Sequence, residues 1–242
     1  MVEALRRHPI RIVIIFFAVA VCSVVSFLIV RPSVSEATPC LDDYPVKGID
    51  LSAHNGEVDF DSVAAHYDFV ILKATEGGNW TDRSFESNFM KAREAGLKVG
   101  AYHYFRFDRP GLPQAINIYN TLYNKRLDLP LALDVEDHGN AKGIDRNLVI
   151  ERLRELVDFL VGHGVSLMFY TNKLGYNRYV EPEFADFPLW ICSFTDPPVH
   201  GHWDFWQYTH SGRVPGVAGD TDINLFNGSK TEFINFLQTT WK

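Results

Sequence analysis

From residue 47 onward, short apolar runs rich in branched and aromatic residues recur at regular intervals, and helical patterns separate several of them. Lys47 to Leu51, Phe69 to Ala74, Val99 to Phe105, Leu129 to Val135, Leu167 to Thr171, Leu189 to Phe194, Phe205 to Tyr208 and Asp222 to Phe226 each read as a strand. Helical patterns cover Phe85 to Ala95, closing on Gly96, Pro113 to Tyr123, and Asn147 to Val161, closing on Gly162, where glycine supplies a left-handed cap. Strand and helix in alternation imply parallel pairing, so the pattern predicts an α/β fold built as a single (β/α) TIM-like barrel. The later intervals are shorter and carry little helix, which predicts an irregular second half. No internal repeat or low-complexity tract interrupts the pattern.

Composition places limits on partners. The chain of 242 residues is 46% hydrophobic and 22% charged, as folded proteins are. Net charge is −7; residues 1–37 hold Arg6, Arg7, Arg11 and Arg31 against Glu3 and Glu36, which leaves −9 on the remainder. So acidic a body lacks the clustered cations that nucleic-acid binding needs. Residues 12–30 carry no charge, and as a helix they rise about 28 Å, close to the ~30 Å hydrocarbon core of a bilayer. With three arginines before this segment and Arg31 after it, residues 1–11 are expected in the cytoplasm and the large domain outside. A cleaved signal peptide, ending at the small-x-small site Ser35-Glu36-Ala37, is the competing reading and would make the protein secreted or periplasmic. The long apolar run favours the anchor. Val19-Ala20-Val21-Cys22 is a poor lipoprotein site, because Val21 is bulky. Residues 31–46 are polar and contain proline, so they read as a linker ahead of a catalytic domain at 47–242. Cys40 and Cys192 form the one feasible disulfide pair outside the apolar segment, although a buried, unpaired Cys192 in a strand is the simpler expectation.

Polar residues at the C-terminal ends of barrel strands sit where such folds carry their chemistry. Asp50 ends the first predicted strand, Asp134 and Glu136 end the fourth, and Asp222 belongs to the last. These strands are not adjacent in the predicted order, yet their ends meet at one barrel mouth. Asp134 and Glu136 are two residues apart, so both side chains point to the face opposite Val135. Two carboxylates so close repel one another. One pKa then rises, as a general acid working near neutral pH requires. Aromatic residues crowd the same region, namely Trp80, Tyr102, Tyr104, Phe105, Tyr170, Trp190, Trp206 and Tyr208. Over half are expected to be core, and the rest suit the C–H faces of sugar rings.

Other chemistries find less support. Asp134, Glu136 and His138, with His103 from the third strand, form a possible mixed-ligand metal set, but Gly139-Asn140 puts His138 in a loop where alternation lapses. Lys73-Ala74-Thr75-Glu76-Gly77-Gly78 lacks the order of a phosphate loop, and no serine occupies a nucleophile elbow. Neither a metal nor a cofactor is expected. The residues alone describe an exported barrel with converging carboxylates, a plausible glycosidase, with a metal-dependent polysaccharide hydrolase and a catalytically silent, membrane-tethered glycan-binding protein as alternatives.

Ordered blocks across residues 47 to 237 resemble the glycoside hydrolase family 25 lysozymes, the Chalaropsis-type N-acetylmuramidases. They include Gly48-Ile49-Asp50-Leu51-Ser52, Lys73-Ala74-Thr75-Glu76-Gly77, Leu133-Asp134-Val135-Glu136, Trp206-Gln207-Tyr208-Thr209 and Asp222-Ile223-Asn224. The resemblance implies a flattened, irregular barrel and hydrolysis of the β-1,4 bond between N-acetylmuramic acid and N-acetylglucosamine. It implies Glu136 as general acid, Asp134 as its partner, Asp50 and Asp222 as further active-site acids, and Tyr102, Tyr170, Trp190 and Gln207 as saccharide contacts. Peptidoglycan strands are then the expected partner and a monomer the expected state. The Asp-x-Glu arrangement resembles sites in which the sugar's own 2-acetamido group attacks, so net retention is expected; inversion through Asp50 or Asp222 as base is the alternative. Ala53-His54-Asn55-Gly56 departs from the aromatic-Gln-Gly usual after Ser52, and Cys192 replaces a usual alanine.

Overall fold

The computed structural model describes residues 41–194, 198 and 202–239. The basic N-terminus, the apolar segment 12–30, Cys40 and most of the linker lie outside these residues. Among the described residues no helix is long and apolar enough to cross a membrane.

The strands are β1 (Lys47–Leu51), β2 (Phe69–Glu76), β3 (Trp80–Thr81), β4 (Lys98–Tyr104), β5 (Leu131–Asp134), β6 (Leu167–Asn172), β7 (Leu189–Cys192), β8 (Phe205–Gly212) and β9 (Thr221–Phe226). Eight of them close into a TIM-like barrel in the order β1, β2, β4, β5, β6, β7, β8, β9 and back to β1, while β3 folds back on the end of β2. The expected run of parallel pairs holds from β1 through β8 and fails at β9, which is antiparallel to both β8 and β1. Its cause is local: no helix lies between β8 and β9, and without a crossover the chain can only turn and run back. A second expectation is corrected with it, since the first and last barrel strands are neighbours.

Helices α1 (Phe60–Ala64), α2 (Phe85–Glu94), α3 (Gly111–Leu122) and α4 (Arg146–Gly162) pack outside the first half of the barrel. Asp145 caps α4 by accepting the backbone N–H groups of Asn147 and Leu148 at 2.9 and 3.2 Å. The left-handed residue beyond α4 is Gly164 rather than Gly162, which remains helical, whereas Gly96 ends α2 as expected. Gly111 opens α3 against the backbone of α4; a Cβ there would lie 1.8 Å from the Arg152 carbonyl oxygen. Between β6 and β7 three short helical turns, Lys173–Gly175, Tyr176–Val180 and Glu181–Phe184, replace a single helix. Helix α5 (Lys230–Thr239), not foreseen from the sequence, places Phe233 against Phe69 and Phe226.

Two apolar layers follow from strand alternation. Val70, Leu72, Val99, Leu131, Leu133, Phe169 and Ile191 face the helices, while Phe69, Ile71, Ala132, Met168, Trp190, Phe205 and Phe226 fill the barrel. Gly48 leaves room for the Phe69 ring, which would sit 2.3 Å from an added Cβ. Val46 is buried with the barrel filling, and Tyr44 packs on Trp203 and Trp206, so the packed domain begins a few residues before Lys47. Phe105 and Trp206 are core, and Tyr208 packs on Trp206.

Candidate active site

Following the barrel interior toward the C-terminal ends of its parallel strands, the side chains change from apolar to acidic. A cleft of about 840 Å³ opens there, and Asp50, Tyr102, Asp134, Glu136, Tyr170, Trp190, Gln207 and Asp222 all line it. The residues expected from the sequence to form the site are therefore brought together. Asp222 arrives by a route the sequence reading did not anticipate: it stands near the beginning of β9, and only the reversal of that strand brings it to this mouth. It lies directly across the ladder from Asp50, a position in which side chains on one face are close neighbours.

Asp50 is 7% exposed and is gripped by two amides. Its Oδ2 accepts from Gln207 Nε2 at 2.9 Å and from Asn224 Nδ2 at 2.8 Å. Each amide is itself oriented by an aromatic donor. Tyr170 OH donates to Gln207 Oε1 at 2.8 Å, and Trp190 Nε1 donates to Asn224 Oδ1 at 2.8 Å. The polar edges of Tyr170 and Trp190 thus act inward, on the scaffold of Asp50. Burial, and next the Asp222 charge, push the Asp50 carboxyl up to about 8 despite both donors. Burial also raises Asp222, and His210 opposes that rise.

Asp134 ends β5 between Tyr104 of β4 and Tyr170 of β6. Glu136 lies just past the strand, but the Val135 N–H still donates to the Tyr170 carbonyl at 2.9 Å, so alternation persists and both acids reach the cleft. Asn140 secures the turn beyond, accepting from Phe107 N and donating to the carbonyls of Phe105 and Glu136, each at 2.9 Å. Asp134 is buried, and its Oδ1 has no hydrogen-bond partner among the described residues. Burial, then the Glu136 charge, hold its carboxyl well above the usual range, and Lys73 pulls the other way. Glu136 is raised chiefly by burial but remains partly open to the cleft. Burial of both acids, and the Glu136 charge beside Asp134, disfavour full ionisation of the pair, the direction that acid catalysis needs.

The metal alternative loses His103, although Asp134, Glu136 and His138 all line the cleft. His103 faces outward, where Nδ1 meets Thr75 Oγ1 at 2.8 Å and Nε2 meets Gln114 Oε1 at 3.2 Å, and burial lowers its pKa to about 3. No group of three potential metal ligands occurs among the described residues. His54, in the departing turn after Ser52, is exposed and does not line the cleft. Cys192 is free and partly exposed at the cleft wall, and burial raises its thiol to about 12.

Sequence reasoning missed His210 and Asn172 on the cleft wall and Asn224 behind it. Asn224 had a readable signal, because it follows Asp222 at the two-residue strand period and must share its face.

The family profile described as Glycosyl hydrolases family 25 matches residues 49–217. The chain belongs to glycosyl hydrolases family 25. Among family 25 relatives, the autolytic lysozyme of Clostridium acetobutylicum is 32% identical over 185 residues, covering 75% of this chain and 56% of that protein. The chain thus spans little more than half the length of that relative. Lysozyme M1 of Streptomyces globisporus is 32% identical over 217 residues, covering 82% of this chain and 74% of that protein. The solved structure of a family 25 glycosyl hydrolase from Bacillus anthracis superposes with a TM-score of 0.74 at 30% identity, over 84% of this chain and 99% of that one. The domain is a family 25 glycoside hydrolase.

Proposed function

We propose that the protein is a peptidoglycan hydrolase that cleaves the β-1,4 bond between N-acetylmuramic acid and N-acetylglucosamine, with Glu136 as general acid. The observation that carries this reading is the desolvated Asp134–Glu136 pair at the open end of an otherwise apolar barrel, with Asp50 and Asp222 beside it. Glu136 is the more accessible member and so the one able to reach a glycosidic oxygen. Asp134 offers an unused buried acceptor, Oδ1. A 2-acetamido N–H bound to that atom favours the ionised form of Asp134, and repulsion then shifts the shared proton to Glu136. The Glu136 proton passes to the glycosidic oxygen as the C1–O bond breaks toward that oxygen. The acetamido carbonyl oxygen meanwhile bonds to C1. Glu136, now ionised, takes a proton from the water that attacks C1 and reopens the ring, so the product retains the β configuration. Asp50 and Asp222 supply the surrounding field, and Tyr102, Tyr170, Trp190 and Gln207 shape the groove. Export, with residues 12–30 as membrane tether or cleaved signal, and a monomeric state belong to the same reading.

Glu136→Gln keeps the shape of the acid but has no proton to donate. Release of new reducing ends from purified peptidoglycan is expected to fall by ~10²- to 10⁴-fold while the thermal unfolding midpoint does not fall. Mass spectrometry of the wild-type fragments should find muramic acid at those ends. Near-normal lysis by the variant, or glucosamine ends from the wild type, would refute the assignment.

A further inference from the structure

Beside the catalytic cleft, on the same mouth of the barrel, lies a second depression of about 610 Å³ built on the ends of β2 and β4. Glu76 pairs with Tyr104 and Tyr104 with Asp134 across successive strands, so this depression begins two strand spacings, about 10 Å, from the Asp134 end of the cleft. The partition between them is thin. His138 lines the cleft, Tyr104 OH donates to the His138 carbonyl, and the Arg106 guanidinium, which lines the depression, donates to the Gly139 carbonyl at 3.3 Å.

The depression has an aromatic platform and cationic walls. Trp80 is 42% exposed and is held on a fixed turn. Asn117 of α3 donates to the carbonyls of Gly77 and Trp80, both at 3.0 Å, Gly77 adopts a φ of 55°, and a Cβ on Gly78 would crowd Pro113 at 3.1 Å. Lys73 Nζ lies 5.0 Å from the Trp80 ring centre and is paired to Glu76 at 2.9 Å. Arg106 reaches Glu76 at 3.3 Å, and Arg109, two-thirds exposed, has its Nε 3.6 Å from Asp108. Arg106 and Arg109 outnumber Glu76 among the charged residues that line the depression, with Asp108 behind them 3.6 Å from each, whereas four acids line the adjoining cleft.

This contrast sorts a substrate that carries carboxylates. The stem-peptide carboxylates of a glycan strand seated in the cleft find no cation among the acids and aromatics there and are attracted at its cationic neighbour. We infer that the depression around Trp80, Arg106 and Arg109 is a subsite for the stem-peptide carboxylates of the strand held in the cleft. The inference rests on the peptidoglycan reading of the cleft. Arg109 supplies the more exposed charge, held only at 3.6 Å by Asp108, Arg106 a fixed one, and Trp80 a flat face for the peptide backbone.

The test separates binding from cleavage. Full-length protein carrying Glu136→Gln is co-sedimented with insoluble peptidoglycan, and with the same material after an amidase has removed the peptides and left the lactyl carboxylates free. Adding Trp80→Ala and Arg109→Glu is expected to weaken binding to peptide-bearing material about tenfold and to leave binding to stripped glycan unchanged. Arg109→Lys, which keeps the charge, should retain most of the affinity. Equal loss on both materials, loss on stripped glycan alone, or no loss on either would overturn the subsite. Wild-type hydrolysis is scored separately: if the peptide preference is present and depends on these residues but no reducing ends appear, the subsite stands and the muramidase reading falls.

Discussion

Asp50→Asn removes a charge from the centre of the site with almost no change of shape, and the structure fixes the sign of its effect on stability. The Asp50 carboxyl is raised from 3.8 in the unfolded chain to about 8 in the fold, by burial first and Asp222 second. Between those values the native state keeps a proton that the unfolded chain releases. Native protein binds more protons in that window, so wild-type stability falls as pH rises, by up to about 1.4 kcal/mol per unit from this group. An asparagine has nothing to titrate. Its carbonyl oxygen can still accept from Gln207 and Asn224, and its amide can face Asp222 as a donor at every pH, whereas the wild-type carboxyl turns into a like charge once it loses its proton. The stability advantage of Asp50→Asn over wild type should therefore grow by up to about 3 kcal/mol between pH 5 and pH 7. Guanidinium unfolding of both proteins at the two pH values, followed by tryptophan fluorescence, measures the difference, and hydrolysis by the variant should be strongly reduced. A stability difference that stays flat with pH would refute the reasoning, because it would mean that Asp50 is ionised in the fold and that the two amide donors outweigh burial and repulsion.

Two further outcomes follow from the same network and its chemistry. Asn224→Ala removes a donor to Asp50 and leaves the buried Trp190 N–H without its acceptor; it should cost about 1–3 kcal/mol for that orphaned group and move any Asp50-linked limb of the activity profile to higher pH, whereas an unshifted profile would show that Asn224 only fills space. NMR of the first-formed product should find the β-anomer, and an initial α-anomer would replace acetamido attack with inversion through Asp50 or Asp222.

Much of this site could be read from the chain, for identifiable reasons. Asp50 stands between Ile49 and Leu51 in a short segment that reads as a strand, and the Leu-Ala-Leu before Asp134 shows which way that acid and Glu136 face. β1 carries the bounds expected of it. What could not be read was direction and adjacency. Asp222-Ile223-Asn224 has the same alternation whichever way the strand runs, so local pattern is silent about β9's reversal and about its pairing with β1. The inward roles of Tyr170 and Trp190 were hidden similarly. A ring in a strand announces burial or stacking, and its polar edge finds a partner only when distant strands close. α5 was overlooked because its apolar residues follow the last strand with no interval to mark it as part of the barrel, yet it supplies Phe233 to the filling.

The side chains that grip Asp50 lie 157 and 174 positions away along the chain, on the last two strands. Contacts of such long range form late in folding, since the loop they close is costly until the intervening structure exists. A ribosome delivers Asp50 long before Gln207 and Asn224, so during the synthesis of everything between them the acid has neither partner. Fragments that lack the C-terminal strands hold the Asp134–Glu136 pair without the framework across from it. An assembled site in this chain is thereby tied to the presence of β8 and β9: it reports that the whole circle of strands has closed.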